Sequence, residues 1–282
     1  MFFEINDDIE QAVDIDARDK LGQTPLHLAL RYMNTDISEL LLRRDADPNL
    51  ADAEGSTPLH IICMNYSDNT STYDSVEMIF ELSNKRHQPI KVNARDNLGN
   101  TPLHFASGFG DRGSIELLMS HGADPNAANS EGCTPLHYIC KRDQYDDDGL
   151  AEVFLKITKD QQQMVQVDAK DKKGRTPLQL AVANILPNTV DVLLNNGADL
   201  SSFVFPDDSY FGEELDPRSP SSDAHTAAAA ADPHCFWPFM IIIFIKKKNI
   251  SLIRHRPAQR TRGASTIQEE ARLVVVVHDV VY

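Results

Sequence analysis

Between Gly99 and Asn126 the apolar residues fall into two short bursts separated by polar and turn-forming positions. The first burst, Leu103, Phe105 and Ala106, follows Thr101-Pro102, and the second, Ile115, Leu117, Leu118 and Met119, ends at Gly122. Threonine before proline reads as a helix start. The hydroxyl can accept an amide hydrogen bond from the first turn, and proline at the first helical position lacks an N–H that would have no intrahelical partner there. Gly122 sits where a left-handed residue closes a helix. Each burst supports only about two helical turns, too few for a helix that is stable alone. The pattern predicts a helix, a turn, a second helix and the extended stretch Ala123-Asp124-Pro125-Asn126. Only a stacked neighbour can cover the apolar surface of such a unit on both sides.

That neighbour is another copy of the same phrase. Thr-Pro-Leu-His occurs at Thr24–His27, Thr57–His60, Thr101–His104 and Thr134–His137, and Thr-Pro-Leu-Gln at Thr176–Gln179, with threonine steps of 33, 44, 33 and 42 residues. A period of this size is the mark of a solenoid. The units run over residues 20–52, 53–96, 97–129, 130–171 and 172–204, after a partial unit at 1–19 in which Ile9, Ala12 and Val13 supply a short helix. The first unit predicts helices over Pro25–Tyr32 and Ile37–Arg43, with Asp45 in the left-handed position that Gly122 fills in the third. The second and fourth units are longer. Their extra residues fall in Asn65–Asp74 and Asn84–Lys91, and in Lys141–Gly149 and Lys159–Val167, which read as lengthened loops around the helix Ser75–Leu82 and a helix whose apolar part is Val153, Phe154, Leu155 and Ile157. Short and long units alternate, so Thr24 to Thr101, Thr57 to Thr134 and Thr101 to Thr176 are 77, 77 and 75 residues apart, which points to a duplicated two-repeat block.

The Thr-Pro-Leu-His phrase, the runs Glu39-Leu40-Leu41 and Glu116-Leu117-Leu118-Met119, and Gly122-Ala123-Asp124-Pro125-Asn126 closely resemble the ankyrin-repeat family over roughly residues 14–200. The resemblance implies an all-α repeat solenoid of about five helix-turn-helix repeats with β-hairpin-like loops projecting to one side. It also implies a protein–protein interaction scaffold or adaptor acting through turn tips and concave face, since most members of the family bind other proteins. In the family the repeat histidine is structural, which matches His27, His60, His104 and His137 at the third helical position, one per unit. Some family asparagines are hydroxylated, and Asn49, Asn93 and Asn126 stand at the corresponding turn position as candidate substrates.

Charge narrows the partner class. The chain carries 42 acidic and 27 basic side chains, a net charge of −15, and residues 240–262 hold seven Lys or Arg and no acid. The repeat body is therefore the acidic part, unsuited to phosphate backbones and suited to a protein with a basic surface. The candidate contact row is the set of turn tips Asp19-Lys20-Leu21, Asp52-Ala53-Glu54, Asp96-Asn97-Leu98, Asn129-Ser130-Glu131 and Asp171-Lys172-Lys173. Loop residues on a regular scaffold can reach a partner without disturbing the core.

Chemistry adds little. No Gly-rich phosphate loop, nucleophile elbow or zinc-protease motif is present, so no catalytic residue, metal or cofactor is expected. The Asp146-Asp147-Asp148 cluster lacks calcium-loop spacing and reads as a solvated loop. Cys63, Cys133, Cys140 and Cys235 show neither pairing nor metal-ligand spacing, and Cys63 and Cys140 share one repeat position, read as small buried residues. The acidic N-terminal stretch lacks the features of a secretory leader, which makes a cytoplasmic or nuclear location the expectation.

After Ser202 the grammar changes. Residues 205–216 are a candidate C-terminal cap, and 217–282 a linker and partly disordered tail in which Pro217–Pro233 is rich in Pro, Ser, Asp and Ala. Cys235–Ile245 is the strongest apolar run, followed by Lys246–Lys248. It is too short to span a bilayer as a helix, so membrane association is the lesser reading, as a membrane-proximal adaptor using Cys235–Lys248. Val274–Val277 is β-prone. A C-terminus foreign to the repeats stays open as a second reading of everything beyond about 216.

Overall fold

In the computed structural model, which describes residues 14–65, 71–85, 89–143, 148–200, 203, 251–253 and 274–276, each of the five Thr-Pro pairs opens a helix. The partial unit through Val13, the candidate cap at 205–216, Pro217–Pro233, Cys235–Lys248 and Asp146-Asp147 lie outside the described residues. Five helix pairs follow in order: α1 Pro25–Arg31 and α2 Thr35–Arg43, α3 Pro58–Met64 and α4 Ser71–Lys85, α5 Pro102–Phe109 and α6 Arg112–Ser120, α7 Pro135–Cys140 and α8 Leu150–Asp160, α9 Pro177–Ala183 and α10 Pro187–Asn195. All five first helices have an extended threonine as N-cap, proline at the start and a capping box with the third helical residue. The local signal therefore decides where these helices begin.

Two of the second helices, α2 and α6, start earlier than their apolar residues suggest, because polar residues cap them. Asn34 Oδ1 accepts from the Ile37 N–H at 3.1 Å, and Asp111 Oδ1 accepts from the Ser114 N–H at 3.0 Å. The largest difference is in the second unit, where α4 begins at Ser71 and ends at Lys85. Part of the segment expected as loop is thus helix, and α4 has 15 residues against nine in α6. Thr72 and Ser83 are buried in the added residues, so the insertion lengthens a packed element as well as a loop.

Stacking follows the helix order. Each first helix packs on the first helix of the next unit, α1 on α3, α3 on α5, α5 on α7 and α7 on α9, and the second helices α2, α4, α6, α8 and α10 form a parallel row. The core repeats with them. Leu26, Leu59, Leu103, Leu136 and Leu178, each two residues after the capping threonine, are at most 1% exposed. Burying a leucine side chain stabilises by ~1.5–3 kcal/mol, so this column is a major contributor to the array.

One buried column contains a misfit. The position six residues after the capping threonine is Leu30, Cys63, Ser107, Cys140 and Val182, all buried. The two cysteines are thus packing residues, with burial pushing the Cys63 thiol well above the ordinary range. The Ser107 hydroxyl is buried without a hydrogen-bond partner. Removing a desolvated, unpaired hydroxyl is favourable, so Ser107→Ala should raise the unfolding free energy by about 1 kcal/mol, read as a higher urea midpoint. A lowered midpoint would show that the hydroxyl is satisfied.

Helix ends use left-handed residues. Gly122 and Gly197 have φ of 86° and 89°, and Asp45 takes the same role at 67°, as expected from its position. In the fourth unit Gln162 does so at 57°, a conformation that costs a residue with a Cβ about 1–2 kcal/mol.

The chain divides after Ala198 into two units. In the second, β1 Ser251–Ile253 pairs antiparallel with β2 Val274–Val276, Leu252 opposite Val275. The β-prone valine run does form a strand.

Candidate recognition surface

The turn tips are built by one recurring device. In each, the Asp or Asn that opens the turn folds its side-chain oxygen back to accept two main-chain N–H groups, two and four residues on. Asp19 Oδ1 accepts from Leu21 and Gln23 at 2.8 Å each, Asp52 Oδ1 from Glu54 and Ser56 at 2.9 Å each, and Asp96 Oδ1 from Leu98 and Asn100 at 2.9 and 2.7 Å. Asn129 does the same with Glu131 and Cys133, and Asp171 with Lys173 and Arg175. Main-chain bonds such as Asp52 N–H to Ser56 O, 2.9 Å, close the hairpin.

Successive tips are then tied together. The Ala53 N–H donates to Leu21 O at 2.9 Å, Asn97 N–H to Glu54 O at 2.9 Å, Ser130 N–H to Leu98 O at 2.8 Å and Lys172 N–H to Glu131 O at 2.8 Å. The hairpins therefore form a continuous ladder. Glycine is required where they touch: Gly55 has φ 79°, and a Cβ there would lie 2.8 Å from the Asn97 nitrogen.

This geometry sorts the expected contact residues. The side chains of Asp19, Asp52, Asp96 and Asn129 are committed to the turns, and Asp52 is only 8% exposed. Asn97 is exposed, but its amide donates to Ala53 O at 2.9 Å. Lys20, Glu54, Glu131 and Lys172 face solvent. Beside them stand Leu21 and Leu98, 59% and 67% exposed.

The three candidate hydroxylation asparagines are clamps between units. Asn49 Oδ1 accepts from Lys91 N–H at 2.8 Å while its Nδ2 donates to Pro89 O at 3.1 Å. Asn93 likewise grips Asp124 N–H and Gly122 O, and Asn126 grips Gln166 N–H and Met164 O. Asp16, at the matching position of the partial unit that precedes the first, can supply only the accepting half, to the Asp47 N–H at 3.1 Å. Two arginines add a second tie, Arg18 to Ala51 O at 2.7 Å and Arg95 to Ala128 O at 2.6 Å. They are 77 residues apart, in register with the two-repeat block. The sequence signal for these ties was the recurrence of Asp or Asn three residues before each turn. What they bond to depends on the stacking.

The histidines form a buried column. In the third unit the Thr101 N–H donates to His104 Nδ1 at 3.0 Å and the Thr101 hydroxyl lies 2.9 Å from it. With Nδ1 accepting, the proton is on Nε2, which donates to Cys133 O of the next unit at 3.0 Å. His27, His60 and His137 repeat this, reaching Ser56, Asn100 and Arg175 carbonyls. Burial holds all four below the ordinary histidine range against the opposing pull of that carbonyl bond, with His104 lowered to about 4. Gln179 reproduces the inner half in the fifth unit, its Oε1 accepting from the Thr176 N–H at 2.9 Å. Among the described residues no group of three His, Cys, Asp or Glu is placed to hold a metal ion, and no helix is long and apolar enough to cross a membrane.

A profile of three tandem ankyrin repeats matches the chain in overlapping placements over residues 5–88, 34–129, 69–148 and 113–203. The chain is an ankyrin-repeat protein. The ankyrin array is 32% identical over 162 residues to zebrafish neurogenic locus notch homolog protein 1, covering 57% of this chain and 6% of that protein. It is 39% identical over 110 residues to pig NF-kappa-B inhibitor alpha, 39% of this chain and 33% of that protein. It is 27% identical over 184 residues to the human transient receptor potential cation channel subfamily A member 1, 64% of this chain and 15% of the channel. In each case the ankyrin array aligns with a third of the relative or less, so the likeness is to a module.

Proposed function

We propose that the ankyrin array is a recognition module that binds another protein, with the row of turn tips and the concave face as the contact and a basic surface on the partner. The observation that carries this reading is the tip ladder. Hydrogen bonds within and between hairpins fix the main chain, while Lys20, Leu21, Glu54, Leu98, Glu131 and Lys172 are left toward solvent. A main chain that is already fixed binds with little backbone ordering cost. Its acidic balance favours a basic partner through encounter rate and register rather than raw affinity. A scaffold in the cytoplasm or nucleus is the accompanying expectation, supported by the buried Cys63, Cys133 and Cys140, none of which is in a disulfide. The same reading holds Asn49, Asn93 and Asn126 as candidate hydroxylation substrates, and an intact-mass increment of one oxygen each on protein from its natural source tests this.

Charge reversal at Asp52 or Asp96 would break a turn, so the informative substitutions are Glu54→Lys and Glu131→Lys. Using the full chain as bait, the double variant should lose its bound proteins or hold them about tenfold more weakly, with an unchanged far-UV circular dichroism spectrum. An identical bound set at identical affinity would remove the tips from the contact.

A further inference from the structure

The residue at the third position of each tip changes in a regular way: Leu21, Glu54, Leu98, Glu131 and Lys173. Leucine stands on the tips that open the first two short units, and glutamate on those that open the long ones. Both leucines are more than half exposed, and among the described residues neither glutamate forms an ion pair. The fifth tip is basic at both central positions, Lys172 and Lys173.

Spacing decides which partner can read this row. Each tip contributes two antiparallel strand widths to the ladder, so successive third residues are about 10 Å apart, twice the strand separation of ~4.8 Å. An α-helix rises ~1.5 Å per residue and covers that step in about seven residues, which is close to two turns and returns the same face. An extended chain covers it in about three residues, an odd number, and turns its side chain to the opposite face at alternate tips.

We propose that the tip row takes an α-helix of the partner lengthwise. At heptad spacing that helix presents an apolar, a basic, an apolar, a basic and then an acidic residue to successive tips. This rests on the reading of the tips as the recognition face and adds the form and sequence pattern of what they hold. The two leucines supply apolar contact at alternate steps. The two glutamates set register, because sliding the helix by one tip would place a basic residue on leucine and an apolar one on glutamate. The lysine tip sets direction.

The test uses the full chain and labelled synthetic peptides. One is a helical peptide with Leu, Lys, Leu, Lys and Glu at successive heptad positions on an Ala- and Gln-rich background. A second has the same composition but steps of about nine residues, which put successive contacts on opposite helix faces. A third is the heptad peptide broken by proline. In fluorescence anisotropy the heptad peptide should bind at least about tenfold more tightly than either control, and Glu54→Lys/Glu131→Lys or Leu98→Ser should each remove most of that margin. Equal binding of the three peptides, or a margin that survives these substitutions, overturns the helical occupant. If proteins bound by the full chain still depend on Glu54 and Glu131 while the heptad peptide shows no preference, the tip face stands and the helix is refuted. If neither depends on them, the face itself falls.

Discussion

Replacing His104 by alanine should lower the unfolding free energy by about 3 kcal/mol, among the largest losses available to a polar substitution in this array. The imidazole is fully buried and joins three groups: the Thr101 N–H, the Thr101 hydroxyl and the Cys133 carbonyl of the following unit. Alanine leaves the Thr101 N–H without its partner, removes one of the two bonds to the Cys133 carbonyl, which also accepts from the Asn129 N–H, and adds a cavity between α5 and α7. Each desolvated, unpaired polar group costs about 1–3 kcal/mol. His104→Gln separates the two halves of the role. Gln179 shows that a side-chain amide oxygen can take the threonine N–H, at 2.9 Å. Glutamine at 104 should therefore keep the inner bond, lose the bond to Cys133 and cost about half as much. Urea midpoints of the three proteins decide the matter, and equal losses for the two variants would place the whole effect in the bond to Cys133.

The same column should make the array acid-sensitive in a defined window. All four histidines have folded-state pKa values lowered chiefly by burial, and an accepting Nδ1 facing an N–H leaves no place for a second proton. The unfolded chain, titrating near 6.5, then binds more protons than the folded one, so stability rises with pH across the window. The contribution is fully present above pH 6.5 and lost as pH falls through the folded values. For His104, lowered to about 4, the full swing is roughly 3 kcal/mol. Asp16, its carboxyl held above the usual range by burial, works in the opposite sense, one group against four. Urea midpoints measured from pH 7.5 to 4.5 should fall steeply below about 6.5, and His104→Gln should show a shallower slope. A flat profile would mean that the imidazoles reach solvent.

Local chemistry explains which parts of this architecture were legible in the amino-acid order. A capping threonine followed by proline acts within one turn, so all five first helices could be placed from Thr24, Thr57, Thr101, Thr134 and Thr176. The start of α4 could not, because Ser71, Thr72, Tyr73 and Asp74 have no helical apolar pattern and are held by packing of Thr72 and its neighbours. Asp52 and Asp96 read as free surface charge, and only the turn geometry shows their oxygens turned inward. The histidines were legible as structural, yet their second bond ends on a carbonyl 29 to 40 residues away, which no local pattern encodes. Leu21 and Leu98 were visible in the tip tripeptides, and their exposure is what the three-dimensional ladder adds.

The 77-residue block has a consequence for how such a protein can change length. Asn49 and Asn126 grip the added segment of the long unit that follows each of them, whereas Asn93 grips the short unit after it, so the two kinds of junction are chemically distinct. Excising a single unit would bring together surfaces that never meet in the parent molecule. Joining Asp52 directly to Ser130 removes a short and a long unit together and recreates a junction of the kind already present, so the chain can be trimmed or grown in pairs while every seam keeps its native partners.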